Sequence, residues 1–134
     1  NLTTAGVVYG DGASNEAFGL TVDRRSGELQ LQGWGSTYDF ESTTDGLAGG
    51  FVIQSVVLDG NDFFHFKDGL LIDSGTNVFD TVVESLVLGG EIAGLGEAEL
   101  SISAALIYDR ALSDSERLDV ENYLRETYID DNIL

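Results

Sequence analysis

Apolar residues along most of this chain recur at every second position, in short runs closed by Gly, Asp, Asn and Ser. That is the period of a strand with one buried face, not of a helix. Phe18, Leu20 and Val22 alternate with Gly19, Thr21 and Asp23, and Leu29 and Leu31 alternate with Glu28, Gln30 and Gln32. Arg24-Arg25-Ser26-Gly27 between them predicts a hairpin turn. Gly6–Gly10 is a short apolar run closed by Gly-Asp-Gly, and Phe51–Leu58 is a longer β-rich one. Asp59-Gly60-Asn61-Asp62 predicts a turn, Phe63–Lys67 a strand, Asp68-Gly69 a two-residue hairpin loop and Leu70–Ile72 its returning partner. Val82–Leu88 and Leu100–Tyr108 complete the predicted strands. No repeat period or low-complexity linker interrupts residues 1–134, so the chain reads as a single domain.

The end of the chain changes character. Ser113-Asp114-Ser115-Glu116 is a capping box, in which the Ser hydroxyl takes an orphan backbone N–H and the Glu reaches back. Val120, Tyr123, Leu124 and Thr127 follow at helical spacing, and Glu121 and Arg125 stand as an i,i+4 pair. A closing helix over about 114–128 is expected. Many strands plus one terminal helix predict an all-β fold, a two-sheet antiparallel sandwich with one short C-terminal α-helix.

Charge narrows the function. The 134 residues carry 24 acidic and 6 basic side chains, a net charge of −18. Phosphate binding needs clustered Lys or Arg, and Arg24–Arg25 is the one adjacent basic pair, so nucleic acid and anionic membranes are poor partners. No apolar run approaches the ~18 residues of a membrane span. Residues 1–67 hold 9 acids and 3 bases, and residues 68–134 hold 15 and 3. Three readings of this acidity stand: a high-salt setting, an extracellular calcium-rich one, or plain solubility. The absence of Cys excludes disulfides, thiol catalysis and Cys-ligated zinc. The absence of Met, even at position 1, leads us to expect a piece of a longer protein.

Leu106-Ile107-Tyr108-Asp109-Arg110-Ala111-Leu112-Ser113-Asp114-Ser115-Glu116-Arg117, continuing to Val120-Glu121-Asn122-Tyr123-Leu124, resembles the closing segment of bacterial laminin-G-like domains. These are concanavalin A-like jelly-roll sandwiches of large secreted and cell-surface proteins. Ala17–Asp23 with Leu31–Gly35 is similar to the family's early hairpin, and Phe64–Gly69 stands where the family has an aliphatic-aromatic-Val-Asp-Gly hairpin. The likeness covers roughly Gly6 to Tyr128. Family domains begin with strands ahead of the Gly6–Gly10 region, which this chain lacks. The resemblance therefore implies the C-terminal portion of a larger domain, with the missing strands supplied from upstream, from a second chain, or from across an inserted domain. An acidic residue that the family places before Leu106 is replaced here by Ser103, Ala104 or Ala105. The resemblance implies a non-catalytic, extracellular or cell-surface binding module of an adhesin-like protein. Its partners would be a glycan or surface ligand and the neighbouring domains of the parent protein. The alternative is a structural spacer, such as a split sandwich holding an inserted domain.

Candidate site residues each have a plainer reading beside the functional one. Glu28, Gln30, Gln32 and Trp34 share parity, so they form a polar ladder ending in an indole. A flat aromatic face with amide donors suits a sugar; the plainer reading is a solvated sheet face. His65, the sole histidine, faces opposite to Phe64 and Phe66, either as a partly buried hydrogen-bonded group or as a sugar-hydroxyl contact beside Gln30 or Gln32. Asp11, Asn15 and Glu16 in one loop, and Asp59, Asn61 and Asp62 in another, are hard oxygen donors suited to calcium. The family's habit of binding Ca²⁺ at loops raises that expectation, and ordinary turn chemistry accounts for the same residues. Catalysis is not expected. The Glu-x-Asp-x-x-Glu strand of laminarinase-like hydrolases is missing, and Glu97 and Glu99 read as an exposed pair at a strand start.

Overall fold

A computed structural model describes residues 4–23, 25–46, 50–90, 92 and 101–130. Eight strands run as β1 Ala5–Gly10, β2 Ala17–Val22, β3 Glu28–Gln32, β4 Asp39–Asp45, β5 Gln54–Asp59, β6 Asp62–Lys67, β7 Leu70–Thr76 and β8 Ser85–Gly90, followed by helix α1 Asp114–Leu124. They form two antiparallel sheets, a five-stranded one ordered β4-β3-β2-β1-β8 and a three-stranded one ordered β5-β6-β7. The fold is an all-β, two-sheet sandwich with one C-terminal helix.

Turn chemistry sets the hairpins. Asp68 and Gly69 both have positive φ, 50° and 85°, the signature of the type I′ loop whose twist matches its strands. Gly60 at φ 63° opens the β5–β6 loop, and Asn61 is not left-handed, which fits a type II′ turn. At the β2–β3 turn the Asp23 carboxylate accepts the backbone N–H groups of Arg25 and Ser26, an Asx-type closure.

The register decides which residues share a face. Leu20 stands opposite Leu31 and Leu31 opposite Phe40, so these three share one face of the larger sheet. That face meets the smaller sheet, because the Phe40 and Phe63 rings lie 4.6 Å apart. Phe79 continues the aromatic row, 6.1 Å from Phe40 and 5.1 Å edge-on from Phe18. The opposite face carries Val8, Gly19 and Gln32, and there Val8 and Ala17 pack with Ile92, flanked by Trp34 and Val87.

Three expectations shift. Asp39–Asp45 is a strand that the alternation did not predict. Its Phe40 is the one apolar residue among six polar ones, a pattern that an edge strand tolerates. The run at 82–88 starts its strand three residues later, at Ser85. Leu100–Tyr108 is corrected more strongly. Leu100 lies outside the described residues, and 101–108 form no strand and are exposed throughout. A β-prone sequence becomes a strand only when a neighbour takes its backbone groups, and none of the described strands does so.

Candidate functional site

Helix α1 covers part of the outer face of the smaller sheet. The capping box forms as expected: Ser113 Oγ accepts the Glu116 N–H, and Glu116 Oε2 accepts the Ser113 N–H at 2.9 Å. Arg110 adds a fork, its Nη1 and Nη2 lying 2.9 and 2.7 Å from the two Glu116 oxygens. These contacts, Arg110 first and Ser113 next, hold the Glu116 carboxyl down at about 2.

The helix does not bury the apolar stripe that its spacing suggests. Tyr123 is exposed, and the residues it buries are Arg117 and Glu121. Arg117 Nη1 is 2.7 Å from Glu121 Oε1, and the Arg117 guanidinium lies 3.7 Å over the Phe66 ring. Ser55 on β5 donates its hydroxyl to Glu121 Oε1 at 2.6 Å. The expected Glu121–Arg125 pair is therefore replaced. Glu121 takes Arg117, and Arg125 reaches Asp68 in the β6–β7 loop at 3.3 Å.

Beside the helix start, the same sheet face remains open as a cleft of about 360 Å³. Its floor is Val57, Phe64, Phe66 and Leu71 from three adjacent strands. Ala111, Leu112 and Asp114 close one side where the chain enters the helix, and Asp59 borders it from the end of β5. Phe66 already stacks on Arg117, whereas Phe64 keeps 38% of its surface exposed. An aromatic floor with carboxylates at its border can hold the C–H face of a polyol while accepting hydrogen bonds from its hydroxyls. The sequence carried one signal for this cleft: the Phe64-His65-Phe66 alternation, which turns the two rings away from the histidine.

The residues singled out from sequence lie elsewhere, apart from Asp59. Gln30 and Gln32 are buried, at 5% and 3% exposure, so the ladder is not a solvated face. Gln30 Oε1 accepts the Thr21 hydroxyl at 3.0 Å. His65 is wholly buried and does face opposite to Phe64 and Phe66. Gln54 links the two sheets: its Nε2 lies 3.0 Å from His65 Nε2 and makes long contacts, 3.4 and 3.5 Å, to the carbonyls of Thr21 and Gln30. An amide nitrogen only donates, so His65 Nε2 accepts and the ring proton sits on Nδ1. Burial pushes the His65 pKa down to about 4, and the ring is neutral at pH 7. Trp34 stays on the Gln32 side of the larger sheet. It lies past the end of β3 at φ 70°, half-buried, against the Val8–Ala17–Ile92 cluster. The Gln30 backbone carbonyl and the His65 ring thus meet through Gln54, while the Gln30 and Gln32 side chains lie on the opposite face of the larger sheet, where Trp34 packs.

The oxygen-rich loops act as fasteners. Asn15 donates to the Val78 carbonyl at 2.6 Å and accepts from Asn77 Nδ2 at 2.9 Å, tying the first loop to the chain between β7 and β8. Asp11 accepts the Gly12 N–H, and the Glu16 carbonyl accepts from Asp11 and Val82. In the second loop Asp59 and Asp62 stand directly opposite, Asp62 accepts the Thr76 hydroxyl at 2.7 Å, and the Asn61 carbonyl accepts the Asn77 N–H. Among the described residues no three His, Asp or Glu side chains gather at metal-binding spacing. Glu97 and Glu99 lie outside the described residues.

Fold and cleft together define a β-sandwich with an aromatic-floored cleft beside its closing helix. No protein-family model matches the chain, and no curated protein matches it. Among solved structures it is similar to residues 221–444 of an S-layer domain-containing protein from Clostridium thermocellum, at 16% sequence identity and a TM-score of 0.46. That match covers 90% of this chain and 63% of the other, so the chain spans less than two thirds of that structure's length.

Proposed function

We propose that this chain is a non-catalytic, extracellular binding module of a bacterial surface or secreted protein, a concanavalin A-like jelly roll of the laminin-G-like kind, and that it recognises a glycan or surface ligand. The observation that carries the reading is the cleft at Phe64. Its exposed ring shares the cleft with Asp59 and Asp114, on a sheet face that the helix leaves uncovered. The resemblance of the segment from Leu106 to Leu124 supports the class of protein, and the net charge of −18 suits an extracellular setting and argues against nucleic acid. The buried positions of Gln30, Gln32 and His65 move the binding surface away from them, with Trp34 at most a neighbour of a second contact.

Calcium enters the proposal at one place. Asp59 borders the cleft and opposes Asp62, and hard carboxylate oxygens suit the ion. Two carboxylates fall well short of its usual six to eight oxygens, so further ones would come from water and ligand hydroxyls.

A glycan-array screen of the chain, run with calcium and with EDTA, tests this. Selective binding that Phe64→Ala abolishes while the melting midpoint is kept supports the reading. Loss in EDTA and in Asp59→Asn assigns calcium a part. One observation favours a second reading, a structural spacer: His65, which sequence parity offered to a ligand, is tied through Gln54 to backbone carbonyls of the other sheet instead. A folded chain that binds nothing on the array supports the spacer.

A further inference from the structure

Two unsatisfied features stand in the described structure, and they match. β8 ends the larger sheet, so its outer backbone edge pairs with no described strand. Its side chains, Ser85-Leu86-Val87-Leu88-Gly89-Gly90, carry no charge, and Leu86 and Leu88 are 50% and 57% exposed. Natural edge strands are usually blunted by Lys, Pro or inward charges, and β8 has none of these. The second feature is the segment 101–108. Its sequence, Ser-Ile-Ser-Ala-Ala-Leu-Ile-Tyr, alternates as a strand does and also lacks charge. Ile102, Leu106, Ile107 and Tyr108 are 40%, 50%, 72% and 46% exposed, and no described strand pairs with it.

We propose that residues 101–108 of one copy add as a strand to the β8 edge of a second copy. Strand addition supplies main-chain hydrogen bonds to both partners and buries alternate side chains. Of the four edge strands described, β4, β5 and β7 carry acids and β8 alone carries no charge, so each copy offers one uncharged edge and one unpaired donor segment, and pairing between copies satisfies both in equal number. Charge selects the same surface. A chain of net charge −18 repels its own kind over most of its face, whereas these two stretches meet without bringing any like charges together. Asp109 and the Arg110–Glu116 fork then mark where the donor segment ends and the anchored helix begins.

Sedimentation velocity on the full chain, from micromolar to sub-millimolar concentration, tests the proposal with two substitutions at exposed positions. Leu88→Asp disables the acceptor edge, and Ile107→Asp disables the donor. The parent chain is expected to associate with rising concentration, and each variant alone to associate at least about tenfold more weakly. A mixture of the two variants regains association, because the first retains a sound donor and the second a sound edge. A parent that stays monomeric throughout overturns the proposal. So does association indifferent to both substitutions, or association that mixing fails to restore. Amide exchange on the parent gives a readout independent of the variants' folding. Protection at 85–90 and 101–108 must rise with concentration, and protection that does not change overturns the proposal as well.

Discussion

The Arg117 guanidinium lies 3.7 Å over the Phe66 ring and 2.7 Å from Glu121, with both charged residues buried between α1 and the smaller sheet. This ion pair, not an apolar stripe, docks the helix. Buried pairs cost desolvation on both sides, and removing one partner strands the other. Glu121→Ala leaves the buried Arg117 with only its longer, 3.7 Å contact to the exposed Asp114 and is expected to lower stability by about 3 kcal/mol in urea melts. The double change Arg117→Met with Glu121→Leu is expected to cost far less than the sum of the singles. Additive losses would show that the pair is not the unit.

The β6–β7 loop depends on its backbone. Gly69 sits at φ 85° and follows Asp68 at φ 50°, whose Oδ1 accepts the Ile53 N–H at 3.0 Å. A side chain at Gly69 meets the left-handed penalty of about 1–2 kcal/mol, and its Cβ would stand 3.3 Å from Glu121 Oε2. Gly69→Ala is therefore expected to destabilise by at least that amount. Gly60→Ala tests the backbone term alone, since nothing lies within 4 Å of the corresponding Cβ. If Gly69→Ala costs no more than Gly60→Ala, the helix does not press on this loop.

Strands and hairpins were legible because they depend on near neighbours. Asp68-Gly69 specifies its own turn, and the period of Phe18, Leu20 and Val22 specifies a face. Parity says which residues share a face but not what covers it. Gln30 and Gln32 share a face, and both are buried on it, which their parity alone does not reveal. The same limit explains Leu100–Tyr108, whose strand-like pattern needs a partner that sequence cannot supply. It also explains α1. The capping box is local and was found, whereas the burial of Arg117 follows from Phe66, about fifty residues earlier. The cleft at Phe64 was half legible: alternation separated the rings from His65, but only the tertiary fold sets Asp114 beside Asp59.

The helix start offers a test in acid. Arg110 and Ser113 hold the Glu116 carboxyl at about 2, below its ordinary value of 4.5. A depressed carboxylate stabilises the fold fully above its unfolded value, and that contribution is lost as pH falls from about 4.5 through about 2. Glu116→Gln is expected to flatten the pH dependence of the melting midpoint in that window and to leave the profile above pH 5 parallel to that of the parent. Ser113→Ala removes the N-cap hydroxyl and is expected to cost about 1 kcal/mol at neutral pH. An unchanged acid slope in Glu116→Gln would place the titration elsewhere.

His65 titrates in a different window, and with the opposite chemistry. It is buried at the junction of the two sheets, its Nε2 accepts from Gln54, and its Nδ1 has no hydrogen-bond partner among the described residues. Protonation would place a cation there with Nε2 and the Gln54 amide both donors, so the interior holds the ring neutral and its pKa falls from 6.5 to about 4. Between those values the unfolded chain binds the proton and the folded chain does not. Stability from this group is therefore complete above about 6.5 and declines as pH falls toward about 4. The full shift corresponds to roughly 3 kcal/mol at most. His65→Gln keeps a polar side chain that does not titrate. It is expected to remove the slope between pH 6.5 and 4 while leaving the Glu116 window below 4.5 in place. Urea midpoints for parent and variant across that range measure the difference directly. Parallel curves would mean that His65 is already protonated in the fold, and that the Gln54 contact runs the other way.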